Sequence, residues 1–135
     1  MSYAGDLTPA QAWEKLLAGA VLVDVRTEAE WAHIGIPETK ETPNDALFIQ
    51  WNLAGGVQNP DFLDDLRAQA PKNDDAELIF LCRSGQRSIA AAEAATAAGF
   101  RSFNILEGFE GVPDAYGDRI VNGWKNSGLP TNLGR

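Results

Sequence analysis

The unbroken apolar run Leu78-Ile79-Phe80-Leu81 has the length of a strand covered on both faces. An alanine-rich segment over 89–98 follows, with Gly99 placed to close it as a helix. The pattern predicts strand, tight loop, helix. Upstream, Val21-Leu22-Val23-Asp24-Val25 reads as a second buried strand, its aliphatic run broken only by Asp24 near the end. Before it, Thr8-Pro9-Ala10-Gln11 has the form of a capping box with proline at the first helical position, and Trp13, Leu16 and Leu17 fall on one face ahead of Gly19. Thr27-Glu28-Ala29-Glu30 repeats the box, so a brief helix carrying Trp31 is expected right after Arg26.

Between 33 and 59 the periodicity weakens, with Pro37, Pro43, Gly55 and Gly56 as punctuation and Ala46-Leu47-Phe48-Ile49 as the one strand candidate. Asn59-Pro60 then opens a helix with Phe62, Leu63 and Leu66 as its apolar stripe, stopped by Pro71. Phe103-Asn104-Ile105-Leu106 reads as another strand. Near the end, Trp124 should pack inward on a last helical turn that Gly128 closes. Strands alternating with helices imply an α/β fold: a central, mostly parallel sheet with helices on both faces, linked by right-handed crossovers. Ligands of such sheets bind outside the carboxyl ends of the strands. Cys82, Asp24-Val25-Arg26 and Glu107-Gly108 all stand at such ends and should share one rim.

At 135 residues, with 44% hydrophobic and 22% charged positions, residues 1–135 fit one globular domain with a full core. A formal net charge of −8 argues against nucleic acid and anionic membrane as partners, since both demand clustered Lys and Arg. Residues 1–6 show neither a basic nor an apolar leader region, and no run approaches the roughly 18 apolar residues of a membrane span, so a cytoplasmic protein is expected. The single cysteine excludes an internal disulfide, a Cys-x-x-Cys pair and a thiolate zinc site; no metal and no cofactor are expected.

That cysteine, Cys82, ends the 78–81 strand, and the loop Arg83-Ser84-Gly85-Gln86 leads from it into the helix. A helix N-terminus offers unpaired N–H groups and about half a positive charge, and Arg83 and Arg87 flank the sulfur, which together favour a reactive thiolate. Gly85 gives the loop the freedom to turn its N–H groups onto one anion, and Ser84 adds a hydroxyl donor. Asp24, Arg26 and Glu30 read as structural, with Arg26 expected to pair with Glu30. Lone His33 reads as a surface or capping residue, and Glu107 either lines the site or caps a turn.

With these residues in place, the chain resembles the single-domain rhodanese-like sulfurtransferases over about residues 8–130. The likeness is carried by Asp24-Val25-Arg26, by Glu30-Trp31 leading to Ile36-Pro37, by the loop Cys82-Arg83-Ser84-Gly85-Gln86-Arg87-Ser88, and by Leu106-Glu107-Gly108 followed by Gly123-Trp124 and Gly128-Leu129-Pro130. The family often has Gly-His before Ile-Pro, where this chain has Ile34-Gly35. The resemblance implies that Cys82 takes sulfane sulfur from a donor such as thiosulfate, carries it as a persulfide, and gives it to cyanide or to a thiol, that of a protein included. It also implies that Arg83, Ser84, Gly85, Gln86, Arg87 and Ser88 bind the substrate and hold the persulfide anion.

Two rival readings use the same residues. Cysteine phosphatases and arsenate-type reductases also seat a thiolate before a helix, but they carry Arg at the sixth position after the cysteine, where Ser88 stands. A binding module without catalysis would grip a partner with the same rim, and such relatives usually lack the cysteine that is present here.

Overall fold

The computed structural model describes residues 2–72 and 75–133. In chain order its elements are β1 (Gly5–Leu7), α1 (Pro9–Leu17), β2 (Val21–Asp24), α2 (Glu28–Ile34), β3 (Ile36–Pro37), β4 (Leu47–Phe48), α3 (Phe62–Gln69), β5 (Glu77–Leu81), α4 (Arg87–Ala97), β6 (Arg101–Ile105) and β7 (Thr131–Asn132), with short 3-10 turns at Ala54–Gly56 and Lys125–Ser127. Five strands form one sheet in the order β1-β6-β5-β2-β4, every neighbouring pair parallel. The α/β expectation holds. β3 and β7 form a separate antiparallel pair.

β5 is the middle strand, which explains why its sequence shows no alternation of apolar and polar positions. Successive side chains of a strand point to opposite faces. Leu78, Phe80 and Cys82 join Val21, Val23, Phe62 and Leu66 in one core. Ile79 and Leu81 join Leu22, Leu16, Ile105 and Trp124 in the other. Helices cover both faces, so both sets must be apolar. α4 meets the first core through Ala91, Ala92 and Ala95, all fully buried, and these small side chains let the helix lie close to β5. Trp51, Phe62 and Phe80 stack in sequence, edge-on at 4.9 Å and then tilted at 6.4 Å.

Both expected capping boxes form, at Thr8 with Gln11 and at Thr27 with Glu30. On α1, however, the buried positions are Pro9, Ala12 and Leu16, while Leu17 is 48% exposed. Leu17 lies at the last turn, where the helix runs past the edge of the core. Trp124 is fully buried as expected, its indole N–H donating to Pro130 O at 2.8 Å, and Gly128 ends the turn in the left-handed region. β1, β3 and β7 were not expected; at two or three residues each, they are too short to show a period. Among the described residues no helix is long and apolar enough to cross a membrane.

At the end of β2 the expected partner of Arg26 is corrected. Arg26 pairs with Asp24: Nη2 donates to Oδ2 at 2.7 Å and Nε to Oδ1 at 3.0 Å, with both side chains 0% exposed. Residues two apart on an extended chain point the same way, so Arg26 folds back onto Asp24, whereas Glu30 lies a helical turn beyond. Arg26 Nη2 also donates to Gly35 O at 2.9 Å, and its guanidinium lies 4.2 Å from the centre of the Phe109 ring. The pair therefore ties β2, α2 and the turn after β6 together. Asp24→Ala leaves a buried guanidinium without its anion and is expected to lower the unfolding free energy by about 3–5 kcal/mol. Urea denaturation measures this, and a loss below about 1 kcal/mol, the range of an exposed pair, would contradict the structural role.

Candidate active site

Because the strands are parallel, their carboxyl ends reach one edge of the sheet. Val25 N–H donates to Leu81 O at 2.8 Å, Phe109 N–H to Cys82 O at 2.8 Å and Glu110 N–H to Arg83 O at 3.0 Å. The three predicted rim segments thus meet around Cys82. The turn after β6 approaches so closely that side chains do not fit between. A Cβ on Gly108 would lie 2.4 Å from Cys82 O, and one on Gly85 would lie 3.1 Å from Glu107 N. Both glycines hold positive φ, 62° and 98°, and Glu107, just before Gly108 in the turn after β6, takes φ 68°, a conformation non-glycine residues rarely adopt. Glu107 therefore belongs to the turn that clamps the loop.

Cys82 is 1% exposed, and its sulfur is not surrounded by hydrocarbon alone. Gly85 N–H donates to Sγ at 3.1 Å, and Ser88 Oγ lies 3.2 Å away. The hydroxyl on the sulfur is that of Ser88; the expectation had given this role to Ser84. α4 begins at Arg87, two residues earlier than the alanine run suggests, which brings Ser88 into its first turn. Gln86 takes the cap position without a side-chain hydrogen bond. The 11 residues of α4 point their N-terminal end at the sulfur's loop, adding the positive end of the helix dipole.

A family model described as the rhodanese-like domain matches residues 8–113. The chain belongs to that family. Its crystallised relative Rv0390 from M. tuberculosis is 48% identical, with a TM-score of 0.90 over 98% of this chain and 99% of that one. The uncharacterized protein RC0915 of Rickettsia conorii is 37% identical over 123 residues, 89% of this chain and 90% of its own length. A rhodanese-like domain protein from Staphylococcus aureus, 24% identical over 93% of this chain and 96% of that one, shares the fold at a TM-score of 0.59.

In this rhodanese-like chain both loop arginines are engaged by carboxylates. Arg83 Nε lies 2.9 Å from Glu110 Oε2, close in charge though not aligned as a hydrogen bond; the guanidinium side is 48% exposed and the carboxylate side 8%. Arg87 grips Glu30 with two parallel bonds, Nη1 to Oε1 at 2.8 Å and Nη2 to Oε2 at 3.0 Å. Glu30 does double duty: its Oε1 also accepts the Thr27 N–H at 3.2 Å in the capping box. Sequence reading found the box but not the second partner, 57 residues away. Beside Arg87, the excursion over 38–58 walls a groove of about 570 Å³ with Gln50, Asn52 and Leu53, opposite Thr27 and Glu28 of the α2 start. His33 stands exposed in the last turn of α2, as expected of a surface residue.

Burial opposes the charge on Glu30, but the Arg87 guanidinium and the Thr27 donors outweigh it and hold the carboxyl below its ordinary value. Burial likewise works against Arg87, and Glu30 outweighs it to raise the guanidinium. A carboxyl depressed in the folded state stabilises the fold above its unfolded pKa of about 4.3, and that contribution fades as pH falls through the lower folded value. The stability difference between the wild type and Glu30→Gln is therefore expected to be constant near neutrality and to shrink below about pH 4. Urea unfolding at stepped pH reads it, and a difference that grows on acidification would contradict the ion pair.

Proposed function

We propose that this protein is a sulfurtransferase in which Cys82 carries sulfane sulfur as a persulfide between a small donor and a thiol or cyanide. The observation that supports this best is the seat of Sγ at the carboxyl end of the middle strand, between the Gly85 N–H at 3.1 Å and the Ser88 hydroxyl at 3.2 Å. Of the two, the Gly85 amide is a donor suited to one anionic sulfur.

With thiosulfate as donor, the Cys82 thiolate attacks the outer sulfur. The new S–S bond forms as the bond to the sulfonate sulfur breaks, and sulfite leaves with that electron pair. Cys82 then ends in a persulfide anion, so charge is conserved. In the second half, cyanide or a thiolate attacks the terminal sulfur, the persulfide S–S bond breaks, and thiocyanate or a new persulfide leaves with Cys82 restored as thiolate. One difficult transfer becomes two easier ones. The helix end and the Gly85 N–H are already aimed at Sγ, which carries charge as the attacking thiolate in the first half and as the departing thiolate in the second, so neither has to reorganise. Arg83, half exposed, is the loop cation that faces solvent, where a dianionic donor arrives. The other loop residues, Ser84, Gln86 and Arg87, would frame the entrance.

Phosphoryl transfer fits less well. The sixth residue after Cys82 is Ser88, turned to the sulfur, and both Arg87 nitrogens that a phosphate would need are bound to Glu30. Intact mass spectrometry after thiosulfate treatment tests the proposal. The wild type is expected to gain one sulfur, to lose it to cyanide as thiocyanate, and Cys82→Ala is expected to gain none while melting at the same temperature. No adduct on the wild type, or turnover of p-nitrophenyl phosphate without sulfur transfer, would overturn it.

A further inference from the structure

Behind the sulfur, Ser88 leads into a file of polar side chains, Asn104, Asp6 and Tyr3, that the transfer scheme does not use. Ser88 donates its hydroxyl proton to Asn104 Oδ1, Asn104 Nδ2 donates to Asp6 Oδ1 at 3.1 Å, and the Tyr3 hydroxyl donates to the same Asp6 oxygen at 2.8 Å. The register of the sheet builds it: Asn104 on β6 lies opposite Phe80 of β5 on one side and Asp6 of β1 on the other. Ser88 and Asn104 are 0% and 1% exposed, so neither can turn to water for a substitute partner. Asp6, on the edge strand, is exposed.

The donors in this file can point only one way. An ionised carboxylate accepts and never donates, so Asp6 must face the amide NH₂ of Asn104, which turns Oδ1 toward Ser88. Serine has one hydroxyl proton, and Asn104 Oδ1 takes it. What Ser88 then offers the sulfur 3.2 Å away is a lone pair. A lone pair welcomes an S–H and opposes a bare anion.

We propose that Asp6, acting through Asn104, sets the polarity of the Ser88–Cys82 contact, holds the resting sulfur as a thiol, and makes rotation of the Ser88 hydroxyl from Asn104 to the sulfur part of activating Cys82. Asp6 and Asn104 are positioning residues, and the inference rests on Cys82 being the nucleophile of the reading above. The charged groups around the sulfur are otherwise paired: Arg87 of α4 with Glu30 of α2, Arg83 of the loop with Glu110 after β6, and Arg26 with Asp24 at the end of β2. Glu107 stands in the clamping turn. In Asp6→Asn the two facing amides can invert, so that Asn104 donates to Ser88 and frees the hydroxyl proton for the sulfur.

Iodoacetamide alkylation of Cys82 across pH, with no sulfur donor present, tests this separately from the reaction. Asp6→Asn is expected to alkylate about fivefold faster at pH 7, the size of one ordinary hydrogen bond, with its pH profile displaced to lower pH. In the Ser88→Ala background the same substitution is expected to change nothing, because the hydroxyl that transmits the effect is gone. A field from the lost charge alone would persist in that background and would be screened by 1 M salt, where the Debye length is about 3 Å; a hydrogen-bond effect survives the salt, so this arm stands even if Ser88→Ala does not fold. An unchanged alkylation profile in Asp6→Asn, a shift equal with and without Ser88, or one abolished by salt would overturn the proposal. Normal alkylation behaviour with no persulfide on thiosulfate treatment would instead remove the sulfur-transfer reading and leave the positioning of the thiol intact.

Discussion

The site depends on two backbone turns meeting without side chains between them. Cys82 O and Arg83 O accept from Phe109 and Glu110, and the 2.4 Å that a Cβ on Gly108 would leave to Cys82 O shows how little space separates the strands. This contact fixes the direction in which the chain leaves β5. Once the direction is fixed, Gly85 brings its N–H back onto the sulfur and α4 can start within one turn. The left-handed Glu107 is the local cost, held in place by a sheet buried on both faces and by the Arg26 guanidinium beneath Phe109.

The charge layout follows a related logic. The chain as a whole is strongly acidic, at −8, yet an anionic sulfur needs a positive surrounding. Free arginines would supply one, but Arg87 and Arg83 are each held by a carboxylate, Glu30 and Glu110. What remains directed at the sulfur itself is uncharged: an amide N–H, a hydroxyl and the end of a helix. Of these, the amide and the helix end are the donors that would hold an anion, without the desolvation that a second buried ion would suffer. The arginines shape the loop, and Arg83 is the more open of the two to solvent, at 48% against 26% for Arg87.

How much of this was legible in the sequence depends on the range of the interaction. Both capping boxes, the two central strands, the buried Trp124 and the strand-end place of Cys82 were readable because each is written within a few residues. The partners were not. Arg26 was assigned to Glu30 on proximity along the chain, but strand geometry returns it to Asp24, and Glu30 is claimed by Arg87 from 57 positions away. The family resemblance places Ser88 among the residues that hold the persulfide, but the contact of its hydroxyl with the sulfur comes from an earlier helix start and the neighbouring β6. Asn104 is the polar residue within the 103–106 strand; its burial, seen in the fold, is what requires a partner.

The same geometry bears on what can reach the sulfur. Cys82 is 1% exposed, and Gly85 and Ser88 already occupy two sides of its sulfur, so little room is left for a partner. A terminal sulfur is a single atom on a single bond and needs little. A phosphoryl centre must bring three oxygens with it, each needing a donor, and the bidentate guanidinium best able to serve them is already closed on Glu30. Under the sulfurtransferase reading proposed above, shape and hydrogen-bond supply would select in the same direction, for a one-atom passenger over a tetrahedral one, and through the residues that also hold the loop in its place.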